Sequence, residues 1–344
     1  MKYTNLPFTN IKVSKICLGT MTFGEQNTES EGHEQMDYAI DQGINFFDTA
    51  ELYSVPAKAE TYGATEKILG TWFQKTGNRD KVVLASKIAG PGPYTEHIRD
   101  NGFSKQAITE ALEGSLKRLQ TDYLDLYQLH WPLRPVNLFG LRSFPHENFR
   151  KQEEQFVSVL ETLNDFVKQG KIREVGLSNE TPWGIMKYLR ASDEHNLPRM
   201  ITLQNSYSLL HRSFETGLSE VCMQENIGLL VYSPLAFGVL SGKYLNGMPE
   251  GARVTLFPNF SRYNSEESAV AVRRYLELAE KNGMTLAEMS LAFINQLPFV
   301  TSNIIGATKM SQLKENINSI NIDLSDEIIA EINAIHAIMP NPAP

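Results

Sequence analysis

Cysteine is nearly missing: the 344 residues hold two, Cys17 and Cys222, far apart and each inside an apolar run. Such a pair builds neither a disulfide framework nor a cysteine-ligated metal site, and both read as buried thiols of a reducing compartment. Long apolar runs are missing too. No stretch approaches the ~18 uninterrupted apolar residues that a bilayer crossing needs. The opening Met-Lys-Tyr-Thr-Asn-Leu-Pro lacks the apolar core of a secretory signal, so a cytoplasmic protein is expected. Positive charge is in deficit, with 32 Lys and Arg against 40 Asp and Glu and a net charge of −8. That balance argues against nucleic acid or a membrane as partner and leaves room for a local basic pocket. The 7 histidines include no pair at metal-ligand spacing backed by carboxylates, so no metal is expected. Nor does a G-x-G-x-x-G follow the first apolar run; Gly19-Thr-Met-Thr-Phe-Gly24 has the wrong spacing.

What is present is a rhythm. Short apolar, β-branched runs occupy Ile16–Gly19, Ile44–Asp48, Val82–Ser86, Tyr123–Leu129, Ile172–Leu177, Met200–Leu203, Ile227–Tyr232 and Ser302–Ile305. Amphipathic stretches such as Gly32–Gln42, Ser104–Gln120 and Phe156–Gln169 lie between them, with apolar residues three and four apart. Ser104 is placed as an N-cap, and Gly43 and Gly170 stand where helix C-termini favour positive φ. Strand–helix alternation implies a parallel sheet covered by helices. Eight units predict an α/β fold of the (β/α)8 TIM-barrel type, which takes ~250 residues plus insertions. An open doubly wound sheet is the alternative, weakened by the missing glycine motif. The chain 1–344 is expected to be one domain. Met1–Val13 suggests a hairpin plugging one end, Ser325–Ile338 an extra helix, and 340–344 a flexible tail. Insertions at Ser54–Thr61, Trp131–Arg150 and Pro234–Ser265 each follow a strand, which places them at the C-terminal mouth of a barrel.

The residues directly after these runs are polar: Asp48, Lys87, His130, Ser178-Asn179, Gln204 and Tyr232-Ser233. In a barrel they ring one mouth, where catalytic groups of this architecture gather. Tyr53, just past the second run, leans over the same mouth. A neighbouring ammonium favours phenolate, so Lys87 is expected to lower the Tyr53 pKa, with Asp48 holding Lys87 charged. His130 would donate a hydrogen bond to a substrate oxygen or assist proton transfer. This set polarises a carbonyl and protonates the alkoxide formed when a nucleophile arrives, most simply a hydride delivered by a cofactor. Trp131 is expected as an apolar wall of the substrate pocket, and Met21 and Phe23 as residues that either face it or join the core. His33, His97, His146, His195, His211 and His336 read as surface residues.

Asp48, Tyr53, Lys87 and His130 together resemble the catalytic tetrad of the aldo-keto reductases. The resemblance runs through Leu18-Gly-Thr-Met-Thr-Phe-Gly24, Phe47-Asp-Thr-Ala50, Gly63-x-x-Glu66-x-x-x-Gly70, Asp122-Tyr-Leu-Asp-Leu126, Gly176-Leu-Ser-Asn179, Tyr232-Ser-Pro-Leu235 and Gly306-Ala-Thr308. Ser241-Gly-Lys-Tyr244 is similar to the branch holding potassium-channel β subunits and bacterial reductases. The resemblance implies NADPH or NADP+ as cofactor and a small carbonyl compound as substrate. By it, Ser178, Asn179 and Gln204 hold the nicotinamide carboxamide and Tyr232 stacks on its ring. Thr20, Met21, Ser233, Pro234, Leu235 and Ala236 line the cofactor, and Lys243 and Arg253 face its phosphates. Gly306, Thr308, Gln312, Glu315 and Asn316 hold the adenosine end. Many family members carry Arg where Gln312 stands, which leaves the NADP-versus-NAD choice open, with Lys243, Arg253 or Lys309 as other sources of charge.

Two further readings compete. One is an NADP(H)-binding regulatory subunit with little turnover, against which His130 speaks, because the channel subunits differ there. The other is Lys87 as a Schiff-base nucleophile, which requires a neutral lysine. No exposed seam in the sequence fixes an oligomeric state.

Overall fold

A computed structural model describes residues 1–149 and 155–344; Arg150, the end of the second expected insertion, lies outside them. Two short strands, β1 (Tyr3–Asn5) and β2 (Lys12–Ser14), form an antiparallel hairpin. Then follow β3 (Ile16–Gly19), β4 (Phe46–Asp48), β5 (Val83–Ile88), β6 (Leu124–Leu129), β7 (Ile172–Ser178), β8 (Met200–Ser206), β9 (Gly228–Tyr232) and β10 (Val300–Ile305). These eight pair in chain order, all parallel, and β10 closes on β3. The fold is a (β/α)8 barrel with helices outside.

Local chemistry explains the boundaries. Thr28 and Glu31 form a reciprocal capping box at the start of helix Glu29–Asp41, Ser104 caps Lys105–Leu119, and Ser325 caps Asp326–Ile338. Gly43 and Gly170 have φ of 82° and 73°, as helix ends require. Strands β5, β7 and β8 run further than their apolar segments. Lys87 pairs with Gln128, Ser178 with Gln204, and Ser206 with Tyr232, so the ladder continues through polar residues whose backbone is still partnered.

The core has two layers. Outside the strands, apolar side chains pack on the helices. Inside the barrel, Cys17, Phe46, Ala85, Leu126, Ile201, Leu230 and Ile304 form a separate cluster, capped from below by Leu6 and Val13 of the hairpin. The hairpin therefore closes the N-terminal end. Strand side chains alternate faces, so residues two further along β4, β5, β6 and β9 from this layer point into the barrel as well. They are Asp48, Lys87, Gln128 and Tyr232. A register shift between Val175 and Gly176 in the β7–β8 pairing lets Ile201 join the lower layer while Gln204 joins the upper one.

One expectation about the fold needs correction. Residues 340–344 are not a loose tail. Ala343 is buried, its N–H donates to Leu210 O at 3.1 Å, and Asn341 Oδ1 accepts from Arg212 N at 2.6 Å. Arg142 and Arg262 donate to the Pro342 and Pro344 carbonyls, so side chains from both long mouth loops hold the segment down. Of the two readings open for Phe23, the structure shows the core one: it is fully buried in the outer core.

The Gly63–Gly70 motif is structural. Glu66 is buried and takes Ser86 Oγ at 2.6 Å and Arg118 Nε at 2.7 Å. A Cβ on Gly70 would stand 2.2 Å from Arg118 O, so only glycine lets helices Ala64–Thr76 and Lys105–Leu119 approach this closely.

Candidate active site

The upper layer of the barrel assembles the four residues read as a tetrad. Lys87 Nζ, fully buried, donates to Asp48 Oδ1 at 2.6 Å, to Thr49 O at 2.8 Å and to Tyr53 OH at 3.4 Å. Its ammonium therefore points between a carboxylate and a phenol. The Tyr53 and His130 rings meet edge to face, 5.7 Å between centroids. His130 follows β6, and its Nδ1 is buried without a hydrogen-bond partner among the described residues.

Charges in this pocket are set by burial first. Burial pushes the Lys87 ammonium down, but Asp48 and Tyr53 overcome it and the net shift is upward, so Lys87 stays protonated. Burial also drives the Tyr53 phenol up, and the opposing pull of Lys87 does not cancel it. The expected lowering is thus reversed: without other charges in the pocket Tyr53 holds its proton firmly. His130 is held well below its ordinary value by burial and by Lys87, which keeps the imidazole neutral. The arrangement is a neutral phenol and a neutral imidazole beside a fixed cation, a set suited to giving a hydrogen bond or a proton to an oxygen.

Around it lie the polar residues of the strand ends. Gln204 Nε2 donates to Asp48 Oδ2 at 2.8 Å, and Gln128 Nε2 reaches the same oxygen at 3.4 Å. Asn179 adopts φ 54°; its Nδ2 donates to His130 O at 2.9 Å and its Oδ1 accepts from Tyr232 OH at 2.6 Å. Ser178 Oγ donates to Gln204 O at 2.9 Å, and Thr20 Oγ1 to Asp48 O at 2.8 Å. Ser178, Asn179, Gln204 and Tyr232 therefore form one hydrogen-bonded rim with the tetrad.

The loop after β9 holds Ser233, Ala236 and Phe237 at φ of 55°, 48° and 56°. Non-glycine residues in this region are strained, and such strain gathers at functional sites. Ala236 is buried, with Pro234 and Leu235 beside it in the same turn. Further along, Lys243 and Arg253 carry no carboxylate partner among the described residues. Lys243 is lowered by burial and then by Arg253 and Lys309; Arg253 is pushed down to about 10 by burial, with Gln26 Oε1 accepting its Nε at 3.3 Å. Three neighbouring cations without an acid form a ready site for an anion such as a phosphate. Close by in sequence to Lys309, Thr308 N and Oγ1 donate to Gln312 Oε1 at 3.1 and 3.2 Å, and buried Asn316 donates to Gly306 O at 3.2 Å. Glu315 takes Thr285 Oγ1 at 2.7 Å.

The opposite side is apolar. Tyr53 and Trp131 share a cluster with Ala50, Leu52 and Ala89, against which Met21, Val55, Ile98 and Leu138 pack. Trp131 is buried, 4.8 Å from the His130 ring, and its Nε1 donates to Pro91 O at 2.9 Å. Tyr94 and Phe139 lie 5.6 and 5.9 Å from it and are part-exposed. The sequence reading missed Gln128, Gln26, Tyr94 and the Glu51–Arg99 pair. Gln128 was within reach, since it lies two residues past Leu126 on the inward face of β6. His211 is corrected from surface to interior: it is 8% exposed, bonded to Ser206 and Ser213, and pushed down to about 3 by burial and Arg262.

Among the described residues no His, Cys, Asp or Glu cluster suits a metal, and no helix is long and apolar enough to cross a membrane. The sequence profile of the Aldo/keto reductase family matches residues 15–337. Escherichia coli (strain K12) Protein tas is 50% identical over 100% of both chains. The Bacillus subtilis (strain 168) protein named uncharacterized oxidoreductase YrpG is 34% identical over 97% of this chain and 96% of its own. Norsolorinic acid reductase B of Dothistroma septosporum is 28% identical over 98% and 82%. With barrel, rim and profile in agreement, the chain belongs to the aldo/keto reductase family and is an NAD(P)(H)-dependent oxidoreductase.

Proposed function

We propose that this chain is an NADP(H)-dependent carbonyl reductase acting on an aldehyde or ketone, with Tyr53 as the general acid. The observation that carries the reading is Lys87 Nζ held between Asp48 Oδ1 at 2.6 Å and Tyr53 OH at 3.4 Å. When bound, the nicotinamide supplies the hydride. The protein's part is to place and polarise. His130 donates a hydrogen bond to the carbonyl oxygen, Tyr53 gives that oxygen its proton, and the Lys87 cation stabilises the phenolate left behind. Asp48 keeps Lys87 charged and directed. A charged lysine speaks against the Schiff-base reading.

The residues fit the dinucleotide. Ser178, Asn179 and Gln204 offer amide and hydroxyl groups for a carboxamide, and Tyr232 a ring face. Ser233, Pro234, Leu235 and Ala236, with Thr20 and Met21 at the first loop, border its path. Lys243 and Arg253 answer the phosphates, supported by their lack of a carboxylate partner among the described residues. Gly306, Thr308, Gln312, Glu315 and Asn316 hold the adenosine end. The charge of Lys243, Arg253 and Lys309 favours NADP(H) over NAD(H) although Gln312 is neutral. Trp131, Met21 and Leu138 favour a substrate carrying an apolar, planar group; the relative above is named for reducing norsolorinic acid. Two buried free cysteines fit a cytoplasmic setting.

The decisive experiment is Tyr53→Phe. Turnover falls by about two to four orders of magnitude, the range of a lost general acid, while NADPH binding stays near wild type. Wild-type turnover in the variant would overturn the assignment. A regulatory subunit instead predicts no NADPH oxidation by the wild-type chain with any of a panel of aldehydes.

A further inference from the structure

Between Asp48 and Tyr53 stands a carboxylate that the reaction does not use. Glu51 is fully buried. Its backbone N–H donates to Lys87 O at 3.3 Å, and its Oε1 accepts from Ala89 N at 2.7 Å. One residue, through its backbone and its side chain, thus fastens the loop bearing Tyr53 to the strand bearing Lys87, on both sides of Ile88. Oε2 accepts from Tyr62 OH at 3.1 Å and from Arg99 Nη2 at 2.7 Å, while Arg99 Nη1 bonds Oε1. The pair is bidentate, the geometry in which an arginine–carboxylate contact fixes direction as well as distance. Arg99 belongs to the loop after β5, which also carries Tyr94 on the apolar side of the mouth. Arg99 N donates to Thr95 O, and Thr95 Oγ1 to Gly90 O, so this loop is tied internally before it is tied to Glu51.

We propose that Glu51 and Arg99 are positioning residues for the reduction: their buried ion pair sets the Tyr53–Lys87 separation and, through the same loop, the seat of Tyr94. The physical reason is leverage. Tyr53 OH stands 3.4 Å from Lys87 Nζ, the long end of hydrogen bonding, where a shift of a few tenths of an ångström decides whether the contact survives. Among the described residues, the Asp48–Tyr53 arc is otherwise tied across to its neighbours only at its ends, by Thr20 to Asp48 O and Lys87 Nζ to Thr49 O at the start and by Thr65 N–H to Tyr53 O at 3.4 Å at the finish. Thr49 N–H donates to Ala85 O at 2.9 Å, before the arc leaves the strand, and Tyr53 N–H bonds Ala50 O within the arc itself. Glu51 supplies the cross-link in between. A fully buried carboxylate is costly unless paired, which ties its presence to Arg99. This inference rests on Tyr53 being the general acid.

The test compares Glu51→Gln, the double variant Glu51→Gln/Arg99→Met, and Tyr53→Phe, all in the full chain with an aldehyde substrate. Gln is isosteric and still accepts from Ala89 N, but it releases the guanidinium. The expected result for Glu51→Gln is a kcat down about tenfold or more, with the NADPH Kd, read by protein fluorescence, within about twofold. Its alkaline limb in the kcat–pH profile moves up by about half a unit or more, because a phenol further from Lys87 is harder to ionise. Removing the orphaned cation in the double variant restores thermal stability but neither kcat nor the limb. A folded Glu51→Gln protein with wild-type kcat, or with reduced kcat and an unmoved limb, overturns the proposal. So does a double variant whose kcat recovers along with its stability. If the single variant does not fold, the double variant decides by the same two readouts. Tyr53→Phe stands apart: if it retains turnover, the reductase assignment of Tyr53 fails, whereas its loss beside an unaffected Glu51→Gln sinks only the positioning role.

Discussion

Gln204 and Lys87 grip opposite oxygens of one carboxylate: the amide holds Asp48 Oδ2 at 2.8 Å and the ammonium holds Oδ1 at 2.6 Å. Asp48 is thereby fully directed, and Gln204 has a task within the tetrad beyond any contact with a cofactor. Gln204→Glu places a second carboxylate against Oδ2. Two carboxylates at this distance do not both ionise, so one takes a proton near neutral pH. The expected outcome is a fall in kcat of about tenfold or more at pH 7 that is partly relieved on acidification, seen in a kcat–pH profile.

The uncompensated cations make a binding prediction. Lys243→Met and Arg253→Met each remove a charge from the anion site, and each is expected to raise the NADPH Kd about tenfold, roughly 1.4 kcal/mol. Fluorescence titration at low and high salt checks it. The wild-type affinity falls with salt more steeply than that of either variant. Equal salt slopes would remove these residues from the phosphate path.

Acid should loosen the fold through His211. Its folded pKa is about 3 against an ordinary 6.5, so the folded state keeps it neutral while the unfolded chain takes up a proton. The unfolded state binds more protons between these values, and stability therefore falls as pH drops from about 6.5 towards 3. The slope is about 1.4 kcal/mol per pH unit for one such group. Neutral, buried His130 adds in the same direction. Urea unfolding between pH 7 and 4.5 measures the slope, and His211→Gln flattens it.

Gly70→Ala tests the helix contact. The new Cβ meets Arg118 O at 2.2 Å, a backbone atom that cannot rotate away. Overpacking of this kind costs about 1–3 kcal/mol, several degrees in Tm by calorimetry, and the kinetic constants stay near wild type because the contact lies outside the barrel.

The barrel and its upper ring were legible because both depend on a local pattern. An apolar run ending in a polar residue states where a strand stops being core, and the alternation of faces carries Asp48, Lys87 and His130 into one mouth. What escaped depends on partners distant in sequence. Arg99 lies in a polar stretch that resembles any surface loop, 48 residues from Glu51. His211 is packed against Arg262, and Ala343 against Leu210, neither of which a window of neighbouring residues contains. The Tyr53 pKa was misjudged for a related reason: the nearby cation can be read from the spacing, but the depth of the pocket cannot.

Leu6 and Val13 stopper the cylinder beneath Phe46, Ala85 and Leu126, and this has a bearing on proton traffic. Hydrocarbon packed against hydrocarbon offers no file of water molecules from the floor. On the proposed mechanism, each hydrogen that Tyr53 surrenders would accordingly be replenished over the rim, by the same door through which reactants would enter, so recharging the acid and clearing the product would share a single passage.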